Sequence, residues 1–199
     1  MNDHCAPGTP GGVALAGTRR VALVGSPNSG KTTLFNALTG LRAKTGNYPG
    51  VTVTRYEGVA DTDAGPVVVE DLPGTYSLVA ISPDEQIVAS VLDADDAAPE
   101  APEALLVTLD ATTLRRSLRL VAQVLRRGLP TVVVVTFADE LARRQGHVDL
   151  PALARALGVP VTEVTGGRRQ QLAGLRTLLA DPDAWTRPVV LPPEEPEAV

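Results

Sequence analysis

The sequence predicts an α/β fold: a mostly parallel sheet with helices on both faces. Three observations predict it. The run Val21-Ala22-Leu23-Val24 passes through a Gly/Ser-rich turn into the helical pattern Thr33-Leu34-Phe35-Asn36-Ala37-Leu38. Further on, strand-type segments at 104–110, 131–136 and 159–164 are interleaved with helix-period segments. Between these halves, extended segments at 51–57 and 67–71 flank the turn-rich Asp61-Thr62-Asp63-Ala64-Gly65, which predicts one antiparallel pair.

In chain order, residues 1–18 read as a flexible Gly/Pro-rich leader. A strand at 20–24 precedes a helix at 31–39 that Gly40 closes. Ser82 caps a helix through 86–92, with Pro83 at its first turn. Leu114, Leu118, Val121 and Leu125 share one face of the next helix, which Gly128-Leu129-Pro130 ends. Its other side carries Arg115, Arg116, Arg119, Arg126 and Arg127, either a solvated face or a docking patch for acidic lipid or a partner. Helices at 150–157 and 170–179 complete the pattern. The Pro- and acid-rich residues 182–199 read as a disordered tail, which leaves 19–181 as one domain.

Composition narrows the class. A chain of 199 residues supports a single good core, and 44% hydrophobic with 21% charged residues is ordinary for a soluble domain. Aromatics are only 3%, so Val, Leu and Ala must fill that core. A net charge of −5 weighs against a nucleic-acid surface. No apolar run approaches the roughly 20 residues that span a bilayer, and no signal-peptide layout is present. The single cysteine, Cys5, excludes an internal disulfide and fits a reducing cytosol. His4, Cys5 and His147 form no convincing metal cluster, although His4 beside Cys5 could bind a metal adventitiously.

The turn after the first strand carries the chemistry. Gly25-Ser26-Pro27-Asn28-Ser29-Gly30-Lys31-Thr32 matches G-x-x-x-x-G-K-[ST] between a strand and a helix. In that context backbone N–H groups curl around an anion with the helix's positive end behind them. Lys31 then serves the β- and γ-phosphates and the Thr32 hydroxyl serves Mg²⁺; Gly25, Asn28, Ser29, Gly30 and Thr33 complete the loop. The expected ligand is a nucleoside triphosphate. Asp71-Leu72-Pro73-Gly74 ends the strand at 67–71, a place for a carboxylate holding Mg²⁺ through water and for a Gly74 N–H facing the γ-phosphate. Gly46-Asn47-Tyr48-Pro49-Gly50-Val51-Thr52 reads as a switch whose Thr52 hydroxyl ligates Mg²⁺ only when γ-phosphate is present. Each piece alone could be a turn with a polar cap. Their order points to a nucleotide switch.

Residues 25–38, 46–53 and Asp71-Leu72-Pro73-Gly74-Thr75-Tyr76-Ser77-Leu78 resemble the G domain of the FeoB ferrous-iron transport family, of the TrmE-Era-EngA-like class. Ser82-Pro83-Asp84-Glu85-Gln86 and Val107-Thr108-Leu109-Asp110-Ala111 support the match, which covers about 19–179. The resemblance implies a Ras-like P-loop GTPase with a six-stranded sheet, one edge strand antiparallel. It also implies hydrolysis of GTP to GDP and phosphate, with Lys31, Asn28, Thr52 and Gly74 as the catalytic set. Thr32, Thr52 and Asp71 would serve Mg²⁺. A potassium ion would be held by the Asn28 side chain and the Gly46 and Tyr48 carbonyls; Asn28 could instead tie down its own loop. The family further implies a cytoplasmic domain, or one peripheral at the inner face of the membrane, acting on a ferrous-iron permease.

Base recognition departs from the usual Asn-x-x-Asp. Thr136-Phe137-Ala138-Asp139 stands there, so Asp139 can accept from guanine N1 and N2 while Thr136 lacks an amide to meet the base and brace the loop. Thr165 and Gly166 fall where backbone N–H groups meet the guanine oxygen. Thr75 replaces the glutamine that orients water elsewhere, so slow, potassium-assisted hydrolysis is expected. The competing readings are a GTP-dependent binding module without significant turnover and a ribosome-assembly GTPase.

Overall fold

The computed structural model describes residues 18–181, except 42, 49, 95–97, 99 and 166–168, together with residue 185. In chain order its elements are β1 (Arg20–Gly25), α1 (Lys31–Thr39), β2 (Ala43–Asn47), β3 (Thr54–Thr62) and β4 (Gly65–Asp71). There follow α2 (Pro83–Leu92), β5 (Ala104–Asp110), a 3-10 turn at Ala111–Thr113, α3 (Leu114–Leu125) and β6 (Thr131–Thr136). The last are α4 (Ala138–Arg143), α5 (Leu150–Leu157), β7 (Val161–Glu163) and α6 (Arg169–Ala180). Residues 1–17 of the predicted leader, the tail apart from Trp185, and Gly166 lie outside the described residues.

All the strands form one sheet in the order β2-β3-β4-β1-β5-β6-β7. β4, β1, β5, β6 and β7 are parallel, and β3 runs against both of its neighbours. Among the described residues this is the predicted doubly covered sheet with one strand more than six, and the antiparallel strand β3 is not the expected edge strand, because β2 pairs outside it. The addition is β2, whose Ala-Lys-Thr-Gly-Asn is exposed at every position. A strand with no buried face has no apolar alternation to read, so only its pairing with β3 reveals it. α4 went unpredicted because its six residues, of which Ala138 and Leu141 lean on the core, are too few to show a helical period.

The buried strands feed two cores. On one face Ala22, Val24, Val107 and Val133 pack under α2 and α3 through Val88, Val121 and Leu125. On the other, Val21, Leu23, Leu106 and Val132 meet Phe35 and Leu38 of α1 and Leu175 and Leu179 of α6. Alternate residues of one strand thus serve opposite layers, as a sheet covered on both sides requires. Trp185 is buried in the second core, and its Nε1–H donates to the Leu178 carbonyl at 2.7 Å. The packed unit therefore reaches past the expected limit at 181. α2 begins as predicted at Ser82, in a reciprocal capping box with Glu85.

Parallel pairing puts the carboxyl ends of β4, β1, β5 and β6 along one edge. In such sheets ligands bind in the crevice beyond those ends. No helix among the described residues is long and apolar enough to cross a membrane.

Candidate functional site

β1 delivers the Gly25–Thr32 loop to that edge between β4 and β5. Gly25 pairs with Thr108, and a Cβ added to Gly25 would lie 1.9 Å from the Thr108 Oγ1, so only glycine fits. Thr108 also meets the Ser29 hydroxyl at 2.6 Å and donates to the Val24 carbonyl. It is a strut under the loop to which the sequence reading gave no role; its signal was a polar residue inside an apolar strand. Gly30 closes the loop in the left-handed region, at φ +81°, as the N-cap of α1.

Because β4 lies next to β1, Asp71 faces the start of α1. Lys31 Nζ donates to Asp71 Oδ1 and the Thr32 hydroxyl to Oδ2, each at 2.9 Å. Lys31 and Asp71 are both buried. A hydroxyl and a carboxylate on one spot form an oxygen donor set that suits a hard divalent cation such as Mg²⁺. Gly74 packs on the loop: an added Cβ would stand 3.0 Å from the Pro27 Cα. The next N–H, that of Thr75, donates to the Gly25 carbonyl at 3.1 Å. The Thr75 hydroxyl is buried and donates to the Ser77 carbonyl at 2.6 Å, so it is committed within its own turn.

The first predicted switch lies apart from this cluster. Gly46 is in β2, paired with Arg55, and Thr52 is exposed in the bend between β2 and β3. Two strands separate β2 from β1, a lateral offset of about 14 Å at usual strand spacing. Tyr48 anchors the segment there. Its ring is buried, its hydroxyl donates to Glu70 Oε1 at 2.9 Å, and Arg55 Nε donates to the same oxygen at 3.0 Å. The Tyr48 carbonyl accepts from the Val51 N–H. In this arrangement Gly46, Tyr48 and Thr52 are not gathered around Asn28 and Thr32. Asn28 has φ +63° and lines a 320 Å³ hollow with Ser26, Lys31, Thr32 and Thr33. Its side chain makes no hydrogen bond among the described residues, so the amide does not tie down its loop.

A second cavity of 480 Å³ opens beside the loop, lined by Thr33, Leu34, Ala37, Phe137, Asp139, Val164 and Leu172. Apolar walls with a charged rim of Asp139, Glu140 and Arg143 suit a flat heterocycle with polar edges. Thr136 corrects an expectation here. Although it has no amide, its hydroxyl donates to the Ser29 carbonyl at 2.8 Å, so it does brace the phosphate loop. A threonine can do so because β6 ends close enough that one hydroxyl spans the gap. Phe137 takes the left-handed conformation (φ +56°) beside Gly30 and lines the slot, a role the sequence reading did not assign. The Thr165 hydroxyl donates to Glu163 at 2.9 Å and faces a neighbouring hollow, while Val164 lines the slot itself. No group of three or more metal-ligating His, Cys, Asp or Glu side chains occurs among the described residues.

Comparison with known proteins agrees with this geometry. The family model described as Ferrous iron transport protein B matches residues 19–179. The Fe(2+) transporter FeoB of Leptospira biflexa serovar Patoc is 38% identical over 169 residues, 85% of this chain and 24% of that protein. Its counterpart in Salmonella typhimurium is 41% identical over 160 residues, 78% of this chain and 20% of that protein. The chain thus spans about a fifth to a quarter of the length of these relatives. Among solved structures, the cytosolic domain of L. pneumophila FeoB aligns with a TM-score of 0.74 and 36% identity, over 82% of this chain and 68% of that one. A GDP-bound mutant of S. thermophilus NFeoB gives 0.74 and 32%, over 82% and 62%. The G domain of the T. maritima FeoB iron transporter gives 0.70 and 32%, over 82% and 98%.

Proposed function

This chain belongs to the Ferrous iron transport protein B family, and we propose that it is a guanine-nucleotide switch that binds GTP and hydrolyses it slowly to GDP and phosphate. Its nucleotide state would govern Fe²⁺ passage through a membrane permease, whether on another polypeptide or on a further part of the same one. The observation that carries the reading is the clasp of Lys31 and Thr32 on Asp71, adjoining a slot that holds Asp139.

On nucleotide entry the Lys31 ammonium turns from Asp71 to the β- and γ-phosphate oxygens, and loop N–H groups take the remaining charge. Mg²⁺ held by the Thr32 hydroxyl, by Asp71 through water and by Thr52 once its segment arrives would neutralise charge on those oxygens. The Asn28 amide, without a hydrogen-bond partner among the described residues, would hold a potassium ion with the Gly46 and Tyr48 carbonyls, adding the positive charge that an arginine supplies in other GTPases. For that, residues 46–52 must leave the sheet edge. The Gly74 N–H orients the γ-phosphate. Thr75 has already given its hydroxyl hydrogen to Ser77 and aligns no water, which makes unaided hydrolysis slow. That same observation favours a second reading, in which GTP occupancy alone is the signal.

GTP turnover with Mg²⁺, measured in potassium and in sodium chloride at equal ionic strength, tests this. Stimulation by potassium that disappears in Asn28→Ala is the expected result. Tight GTP binding without turnover in either salt would leave the second reading. No binding of guanine nucleotide at all would overturn both.

A further inference from the structure

The slot beside the phosphate loop ends on an ion pair. Arg143, one helical turn after Asp139 on α4, donates Nη2–H to Asp139 Oδ2 at 2.8 Å. The same guanidinium reaches Glu140, and all three side chains line the slot. Asp139 and Arg143 are 40% and 66% exposed, so the pair adds little to folding. Its consequence lies in what the carboxylate has left to offer.

The inference rests on the guanine reading of this slot. A carboxylate facing guanine accepts two hydrogens side by side, from N1–H and from the 2-amino group, and so presents both oxygens. Hypoxanthine lacks the 2-amino group and needs one. Among the described residues, Asp139 has one oxygen without a hydrogen-bond partner and one already accepting from Arg143. A carboxylate oxygen has a second lone pair, so the arginine need not be expelled. It does place two donors on one acceptor, and it holds the carboxylate in the orientation that suits the guanidinium. That burden falls on a base with two donors more than on a base with one.

We propose that Arg143 is a specificity-determining residue that compresses the slot's preference for guanine over hypoxanthine by occupying Asp139 Oδ2. Arg143 also brings a positive charge that would attract any nucleotide phosphate. That attraction is common to both nucleotides and cancels in the ratio of their affinities.

The test is calorimetric binding of GDP and IDP to the wild-type chain, Arg143→Ala, Arg143→Lys and Arg144→Ala. Arg144 bonds Glu140 and does not line the slot, so it controls for lost surface charge. In Arg143→Ala the GDP-over-IDP preference should rise about 2- to 5-fold, the span expected when an exposed ion pair no longer competes. Arg143→Lys, which keeps the charge without the fork, should fall between, and Arg144→Ala should match the wild type. A preference unchanged or lowered in Arg143→Ala, with both nucleotides still bound, overturns the role of Arg143 alone. Failure of the wild-type chain to bind either nucleotide overturns the guanine reading and this inference with it.

Discussion

The hydroxyl of Thr136 donates to the carbonyl of Ser29 at 2.8 Å, across 107 positions of sequence. The end of β6 is thereby tied to the middle of the phosphate loop. Thr136→Val keeps the shape and removes the donor. It should lower stability by about 1 kcal/mol, the usual worth of a neutral buried hydrogen bond. GDP affinity should fall about 5- to 10-fold, because the loop is no longer held in its binding conformation. Thr136→Ser should recover most of both. Thermal unfolding and calorimetry on the three proteins check it.

Tyr48 and Glu70 set the resting place of the first switch. Burial, and next the Glu70 carboxylate, push the Tyr48 phenol well above its ordinary range, so it remains a donor throughout the neutral range. Burial opposes the charge on Arg55, but Glu100, Glu70 and Glu57 outweigh it and hold the guanidinium protonated. Tyr48→Phe removes one bond and leaves Glu70 paired with Arg55. Freed of that anchor, residues 46–52 should reach the γ-phosphate more readily. The affinity for a non-hydrolysable GTP analogue relative to GDP should rise about 2- to 5-fold, with a stability loss of about 1 kcal/mol. An unchanged ratio would show that Tyr48 does not restrain the switch.

Glu85 gives the fold a pH dependence of known sign. The Ser82 backbone N–H, with help from the Ser82 side chain and the Ile81 N–H, holds the Glu85 carboxyl below its ordinary 4.5. A carboxyl with a lowered value in the folded state stabilises above its unfolded value, and that contribution is lost as pH falls through the folded value. Glu85→Gln should therefore melt below the wild type near neutral pH. The gap should close as the pH drops through the carboxylate range, from about 4 downward. Melting curves at several pH values read it directly.

Much of the site was legible because its parts are contiguous. Gly25 to Thr32 needs only a strand before it and a helix after it, and both are visible in local periodicity. The same holds for Asp71, at the end of an apolar strand, and for Asp139, three residues beyond one. The sequence did not reveal what depends on contacts between distant segments. Thr108 supports Gly25 only because β5 pairs with β1 in that register. Trp185 belongs to the core only because α6 lies against the second face of the sheet. β2 has no apolar face to announce it.

By itself, then, the sequence determined the elements that bury a periodic face and the phosphate loop that joins two of them. Burial leaves a period of two or near four in the residue pattern, and glycine marks where the backbone must turn. Tertiary structure decided that Tyr48 is anchored on Glu70 and that Thr136 can brace the loop without an amide. Each of these is a polar contact between segments distant in sequence. Such contacts have no period, and they arise only once packing has set the distance between their partners.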